Sequence, residues 1–360
     1  MDSFFSNLFK AISDNIRNNY TDNFDFERFG DEPKEKNSIK SFLLHELKKR
    51  FRIVDYDEIK MIEILDPYFD RMEQVYSILQ DGYSKDLYIK LIAYKILGYR
   101  KVKLPLNTSE YWAKNRLSDE LRTSESPIEA PFVGGRTVKL YKFDLSKKNI
   151  PLKLYTSDIY PILFIDQYEN DEVKIDDGDI LLDCGGCWGD TAMFFAHKVG
   201  NFGHVYSFEF IPENINIFKQ NISLNESISN RITLVEKALG EKTDETLCFS
   251  NNGPGSRLGE PSTQTIKVQS ITIDDFVRRN NVSKVDFIKM DIEGSELPSL
   301  KGAINVLKEF KPKLAISIYH SLDDFVNIPI FLESLHLEYR FYIKHGTIHN
   351  EETVLLATCK

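Results

Sequence analysis

Three side chains at the ends of apolar runs have the chemistry to move a proton. Asp291 and Glu293 follow FIKM, and His320 follows LAISIY. A carboxylate or imidazole held beside a weakly acidic hydroxyl can take its proton as the oxygen attacks an electrophile. His320 or Asp291 is therefore the expected base, with Glu293 either orienting the acceptor or ordering the turn DIEG. His320 and Glu293 also have plainer readings, as a surface or hydrogen-bonded structural histidine and as a cap for a helix that begins near Ser295. Oxygen and imidazole ligands also suit magnesium or zinc, but no compact spacing demands an ion and none is expected.

A second constellation lies upstream, in ILLDCGGCWGDTAMFFA. A buried strand ends at Asp183, a tight turn carries Gly185, Gly186 and Gly189, and a helix opens at Asp190 or Thr191. Glycines there permit positive φ and close approach of a ligand, and a helix N-terminus offers free N–H groups. The spacing D-x-G-x-x-x-G is not the G-x-G-x-x-G that a dinucleotide pyrophosphate favours. Asp183 and Asp190 would repel a pyrophosphate but suit the ammonium and sulfonium charges of S-adenosyl-L-methionine. The next apolar run, HVYSFEF, ends in Glu209, placed to accept ribose hydroxyls, with Phe210 beside it. Ala238, after the third run, leaves room for an adenine ring. Cys184 and Cys187 fall inside the glycine turn with no thioredoxin-like context, so a redox pair is not expected.

The elements that must position these residues follow from the alternation of short apolar runs with helical patterns. Runs at 180–183, 204–209, 232–236, 285–291 and 314–319 read as strands, and 212–224 and 295–308 as helices between them. That order predicts an α/β fold with a parallel sheet covered on both faces. The closing runs YRFYIKHG and ETVLLATCK have no helix between them and predict an antiparallel hairpin. Residues 1 to about 100 read as helical. Phe5, Leu8, Phe9, Ile12 and Ile16 form an apolar stripe, Asp66-Pro67 is a helix start, and a helix over 84–97 closes at Gly98. Residues 101–135, with Pro105, Pro127, Pro131 and Gly134-Gly135, read as a linker. The expected division is 1–135, a helical region with its linker, and 136–360, the main domain.

On LLDCGGCWGDT, VYSFEFIPEN, VEKALGE, FIKMDIEGSE, LAISIYHSLDDFVNIPIFL and the closing ETVLLA, the chain resembles the FkbM family of methyltransferases across about residues 165–358. FIKMDIEGSE is the most specific segment. The family's glycine loop more often reads D-V-G-A-N-x-G, and Cys184, Gly186, Cys187 and Trp188 depart from it. The resemblance implies a Rossmann-like class I methyltransferase fold, seven strands with the last antiparallel, and methyl transfer to a hydroxyl oxygen of a sugar or glycan-type acceptor. The rival readings are a non-catalytic binding protein on the same fold and a nicotinamide-dependent oxidoreductase.

Composition bounds the partners. The chain has 360 residues, 42% of them hydrophobic and 28% charged, with a formal net charge of −9. That balance gives no general attraction to nucleic acid or anionic membrane, and the cluster Lys48, Lys49, Arg50, Arg52 reads as a solvated helix face. No run is long enough to span a bilayer, no signal peptide is evident, and four cysteines do not make a disulfide framework. A cytoplasmic enzyme that takes a small-molecule or carbohydrate acceptor is expected, with a homo-oligomer open.

Overall fold

Strand formation is dictated by runs that are apolar on both faces, which only a doubly covered sheet can bury. The computed structural model describes residues 3–30, 56–132, 136–250, 255–256 and 265–359; the cluster at 48–52 and the Gly134-Gly135 pair lie outside the described residues. The central strands are β1 (Ile180–Cys184), β2 (His204–Phe208), β3 (Ile232–Val235), β4 (Phe287–Met290), β5 (Lys313–Ser317), β6 (Arg340–His345) and β7 (Thr353–Thr358). They form one seven-stranded sheet in the order β3-β2-β1-β4-β5-β7-β6. β1 to β5 pair in parallel, and β7 runs antiparallel to both neighbours. The order reverses between β1 and β4, so the carboxyl ends of these two strands flank the crevice where α/β sheets place ligands.

Helices on both faces bury two large cores. Asp190–Lys198 and Pro212–Ser223 follow β1 and β2. The segment expected as one helix over 295–308 is two, Glu296–Lys301 and Ile304–Phe310, broken at Gly302. A Cβ on Gly302 would lie 2.3 Å from the Gly240 carbonyl oxygen, so the chain bends where a side chain cannot fit. Two small three-stranded sheets flank the main one. Ile128–Phe132, Arg136–Asp144 and Lys153–Thr156 make the first, and Ala238–Leu239, Thr246–Ser250 and Thr265–Ile271 the second.

The N-terminal helices share the core of the main sheet. Helix Phe4–Asn15, capped by Ser3, buries Phe4 and Leu8 while Phe5 and Phe9 face solvent, so only part of the stripe the spacing suggested faces the core. Asp66-Pro67 opens a single 3-10 turn between helices Tyr56–Leu65 and Phe69–Ile78, and its residues continue a chain that is already helical. Helix Gly82–Leu97 is capped by Asp81, whose carboxylate accepts from the Ser84 N–H, and closed by Gly98 at φ +78°. It lies along β6: the Gln80 N–H donates to the Phe341 carbonyl, and the Ile343 N–H donates to Ser84 Oγ. The stretch read as linker contains the helix Ser109–Asp119, because Thr108 caps it by accepting from the Tyr111 N–H.

Candidate active site

The glycine turn is shaped from beneath by a buried cation. β4 pairs with β1 so that Lys289 sits opposite Asp183, and its Nζ lies 3.1 Å from Asp183 Oδ1 with both side chains fully buried. The same ammonium donates to the Gly185 carbonyl at 2.6 Å. Asp183 Oδ2 accepts from Ser207 Oγ at 2.7 Å and from Thr191 Oγ1 at 3.2 Å. Asp183 is thus committed to Lys289 inside the sheet, which corrects the expectation that its charge faces a cationic ligand. Lys289 keeps its proton: burial works against the charge, but Asp183 and then Asp291 more than offset it and raise its pKa.

The three glycines have different reasons. Gly185, at φ +88°, passes so close to the loop after β4 that a Cβ would sit 1.9 Å from the Asp291 carbonyl oxygen. At Gly186 and Gly189 a side chain is excluded because Ser207 and the Phe218 ring pack against the turn there. Asp190 opens the next helix, accepts from Thr156 Oγ1 at 2.7 Å and has its pKa raised by burial. Asp183, Gly186, Gly189, Asp190 and Thr191 therefore build the turn, while Gly185 faces the cleft.

That cleft is a pocket running along the ends of β1, β2 and β4. Gly185, Glu209, Phe210 and Ala238 line it, with Phe208, Ile211, Leu239 and Phe249 making much of it apolar. Ala238 begins the short strand Ala238–Leu239 and is fully buried. Glu209 Oε1 accepts from the backbone N–H groups of Phe210 (2.6 Å) and Ile211 (2.7 Å), and Oε2 accepts from Asn214 Nδ2 at 3.1 Å. Burial raises this carboxyl to about 7 against those donors.

The far end of the pocket is lined by Asp291, Glu293 and Ser295, and here the structure brings the three expected catalytic residues together. His320 Nε2 lies 3.3 Å from Asp291 Oδ1 and 3.7 Å from Glu293 Oε2, and its Nδ1 lies 3.2 Å from Glu296 Oε1. Burial disfavours the imidazolium, but Asp291 and Glu296 overcome it and push His320 up to about 11. Burial would raise Asp291, yet His320 and Lys289 hold it at about 2. Tyr168 donates its hydroxyl to Asp291 Oδ2 at 3.1 Å and Tyr319 donates to Oδ1 at 3.3 Å. The carboxylates around His320 thus favour its imidazolium form over the neutral imidazole that a histidine base requires.

Glu296, fully buried, orders the DIEG turn by accepting from the Ile292 N–H (2.7 Å) and the Gly294 N–H (2.9 Å). It stabilises a turn in which Glu293 and Gly294 both have positive φ, at +57° and +92°. Glu293 is left at the pocket wall. Asp291, Glu296 and His320 also form a cluster with the composition of a cation site. Lys289, Glu296, Tyr168 and Tyr319 were not singled out from the sequence. The first two stand inside FIKMDIEGSE, where a lysine within an apolar strand and a second glutamate were available signals. Nothing marked the tyrosines.

Residues 178–347 match the family model described as methyltransferase FkbM domain. This chain carries an FkbM methyltransferase domain. A curated relative, Methyltransferase 1 of Beauveria bassiana (strain ARSEF 2860), is 23% identical over 208 residues, covering 52% of this chain and 82% of its own. The crystal structure of methyltransferase FkbM from Methylobacillus flagellatus KT superposes with a TM-score of 0.54 at 18% identity, covering 89% of this chain and 71% of that one, and shares the fold. The cofactor of the FkbM methyltransferase domain is S-adenosyl-L-methionine. The residues present fit it: Glu209 retains acceptor capacity for ribose hydroxyls, the apolar wall around Ala238 suits adenine, and Gly185 brings its backbone to the pocket with no side chain of its own. Among the described residues no helix is long and apolar enough to cross a membrane.

Proposed function

We propose that this methyltransferase O-methylates a hydroxyl of a sugar or glycan-type acceptor, with Asp291 as the proton acceptor. The observation that carries the reading is the pair of carboxylates, Asp291 and Glu293, at the end of the cofactor pocket beside the tyrosine-flanked His320. When bound, S-adenosyl-L-methionine supplies an electrophilic methyl group on a sulfonium. An acceptor hydroxyl donating to Asp291 is held in one orientation, and orientation is the larger part of what such a displacement needs. As that oxygen is alkylated its proton becomes far more acidic than a carboxylic acid, so a carboxylate held at about 2 can still take it. His320, already protonated, holds Asp291 in place, and Glu293 accepts from a neighbouring hydroxyl, as the vicinal hydroxyls of a sugar ring allow.

We take the methyltransferase unit to run from about residue 136 onward, joined by the strand Ile128–Phe132 that pairs with Arg136–Leu140, with the described N-terminal helices packing on its core and along β6. Asp25 lies 3.6 Å from His349 in the β6–β7 turn, which supports a role for the N-terminal region on the acceptor side. The test is calorimetric titration with S-adenosylmethionine and S-adenosylhomocysteine, with NAD as control, followed by an acceptor screen of sugars and glycans. Asp291→Asn should lower kcat by about 10²–10⁴-fold and leave S-adenosylhomocysteine affinity unchanged. Near-normal turnover in that variant would remove Asp291 from the role.

A further inference from the structure

We infer that Lys289 is a positioning residue of the cofactor site, acting on the ligand through the Gly185 carbonyl and not only as a structural counter-ion for Asp183. The inference rests on the methyltransferase reading of the pocket. Three observations carry it. Lys289 Nζ has a bond to spare beyond its ion pair, and donates it to Gly185, the turn residue that lines the pocket. The Gly185 backbone, at φ +88°, has no steric freedom on the side of Asp291, so fixing its carbonyl fixes the peptide against which the ligand lies. The ammonium also lies 5.4 Å from the centre of the Tyr168 ring, and the hydroxyl of that ring donates to Asp291. One buried side chain thus touches the cofactor turn and, through one tyrosine, the acceptor corner.

Burial explains why the sheet tolerates the group. An ammonium with this little access to water persists only when its charge is matched and its N–H groups are used, and Asp183, Gly185 and Cys184 (3.4 Å) supply both. Asp183 alone would match the charge. The contact with Gly185 ties that charge to the ligand-binding turn. The field of the ammonium also reaches Glu209 and Asp190, both of which it helps to keep ionised.

The experiment separates positioning from charge matching. Lys289→Met leaves Asp183 as an unpaired buried carboxylate and is expected to lose stability. Lys289→Met/Asp183→Asn removes both charges while an amide remains to meet Ser207 and Thr191. The stabilities of both variants are read by thermal melting, and S-adenosylhomocysteine affinity by calorimetry across pH 6–9. The double variant should recover most of the melting temperature yet bind S-adenosylhomocysteine at least tenfold more weakly than the parent. Its KM for S-adenosylmethionine should rise more than its KM for the acceptor, and the pH midpoint of binding should move upward as Glu209 loses a cation. Lys289→Gln/Asp183→Asn, which restores a donor toward Gly185, should regain part of the affinity. Recovery of affinity to within threefold in the Met/Asn double variant, with no shift in midpoint, would overturn the inference and leave Lys289 a counter-ion. Failure of the parent protein to bind S-adenosylhomocysteine would instead count against the methyltransferase reading itself.

Discussion

Replacing His320 with glutamine should change how stability depends on pH, and the size of the change follows from proton linkage. The imidazole goes from its ordinary 6.5 to about 11 on folding, so between these values the folded protein holds one proton that the unfolded chain has released. A group whose folded pKa is raised gives its full stabilisation below the unfolded value and loses it as pH climbs toward the folded value. Each pH unit in that window therefore costs the wild type about 1.4 kcal/mol that the glutamine variant does not lose. From pH 7.5 to pH 9.5 the gap between the two proteins should close by about 3 kcal/mol. The variant should be the less stable throughout the lower part of the range, because Asp291, Glu293 and Glu296 then face one another with no cation among them, and removing one partner from a buried ionic cluster costs about 3–5 kcal/mol. Urea unfolding of both proteins at pH 7.5, 8.5 and 9.5 is the assay. Unfolding free energies that run parallel across that range, within about 0.5 kcal/mol, would refute the assignment of a bound proton to His320.

Three further outcomes are expected. Because Glu209 is raised to about 7 by burial and only its ionised form offers all its lone pairs to ribose hydroxyls, S-adenosylhomocysteine affinity should tighten from pH 6 to pH 8; Glu209→Gln should abolish that dependence and weaken binding by about 10–100-fold, as read by calorimetry. Gly185→Ala places a methyl 1.9 Å from the Asp291 carbonyl oxygen at a φ of +88°. It should cost more than the roughly 1–2 kcal/mol of left-handed strain alone and depress cofactor binding, whereas an alanine variant within 0.5 kcal/mol of wild type with normal binding would contradict the close approach. Because the Asp291–His320–Glu296 cluster is balanced by a proton, prolonged dialysis against EDTA should leave turnover unchanged, and a loss restored by magnesium or zinc would show that a cation takes that place.

The main sheet was legible because its central strands β1, β4 and β5 are almost wholly buried and read as mostly apolar runs ended by a turn residue. The acids at strand ends were legible for the same reason, since the carboxyl edge of a parallel sheet is where a polar residue after an apolar run must emerge. Asp291, Glu293 and His320 were singled out on that ground, and in the structure both acids lie within ion-pair distance of His320. What was not legible depends on register between strands distant in sequence. Lys289 reads alone as an oddity in FIKM; its meaning comes from lying opposite Asp183, 106 residues earlier. That partnership also reversed the expectation for Asp183, which looked free to meet a cationic ligand and is already neutralised. Glu296 was hidden because a second acid near a helix start reads as a cap, and Tyr168 because its hydroxyl meets Asp291 only through tertiary packing. In the first helix the expected stripe held at Leu8, Ile12 and Ile16 but not at Phe5 and Phe9, because adjacent phenylalanines leave two faces open to the pattern and the core takes Phe4.

The contacts of Gln80 and Ser84 with β6 also bear on how copies of this chain can associate. A strand at the rim of a sheet offers a row of unused peptide groups, a template for annealing with a neighbour. At this rim the outward carbonyl of Phe341 and the outward N–H of Ile343 are already taken by the chain's own N-terminal region. Leu79 completes a bridge to Phe341 in the manner of an eighth strand cut to one residue. Any homodimer formed by joining sheets at β6 would first have to peel that segment away, so the N-terminal region acts there as a guard against end-on growth.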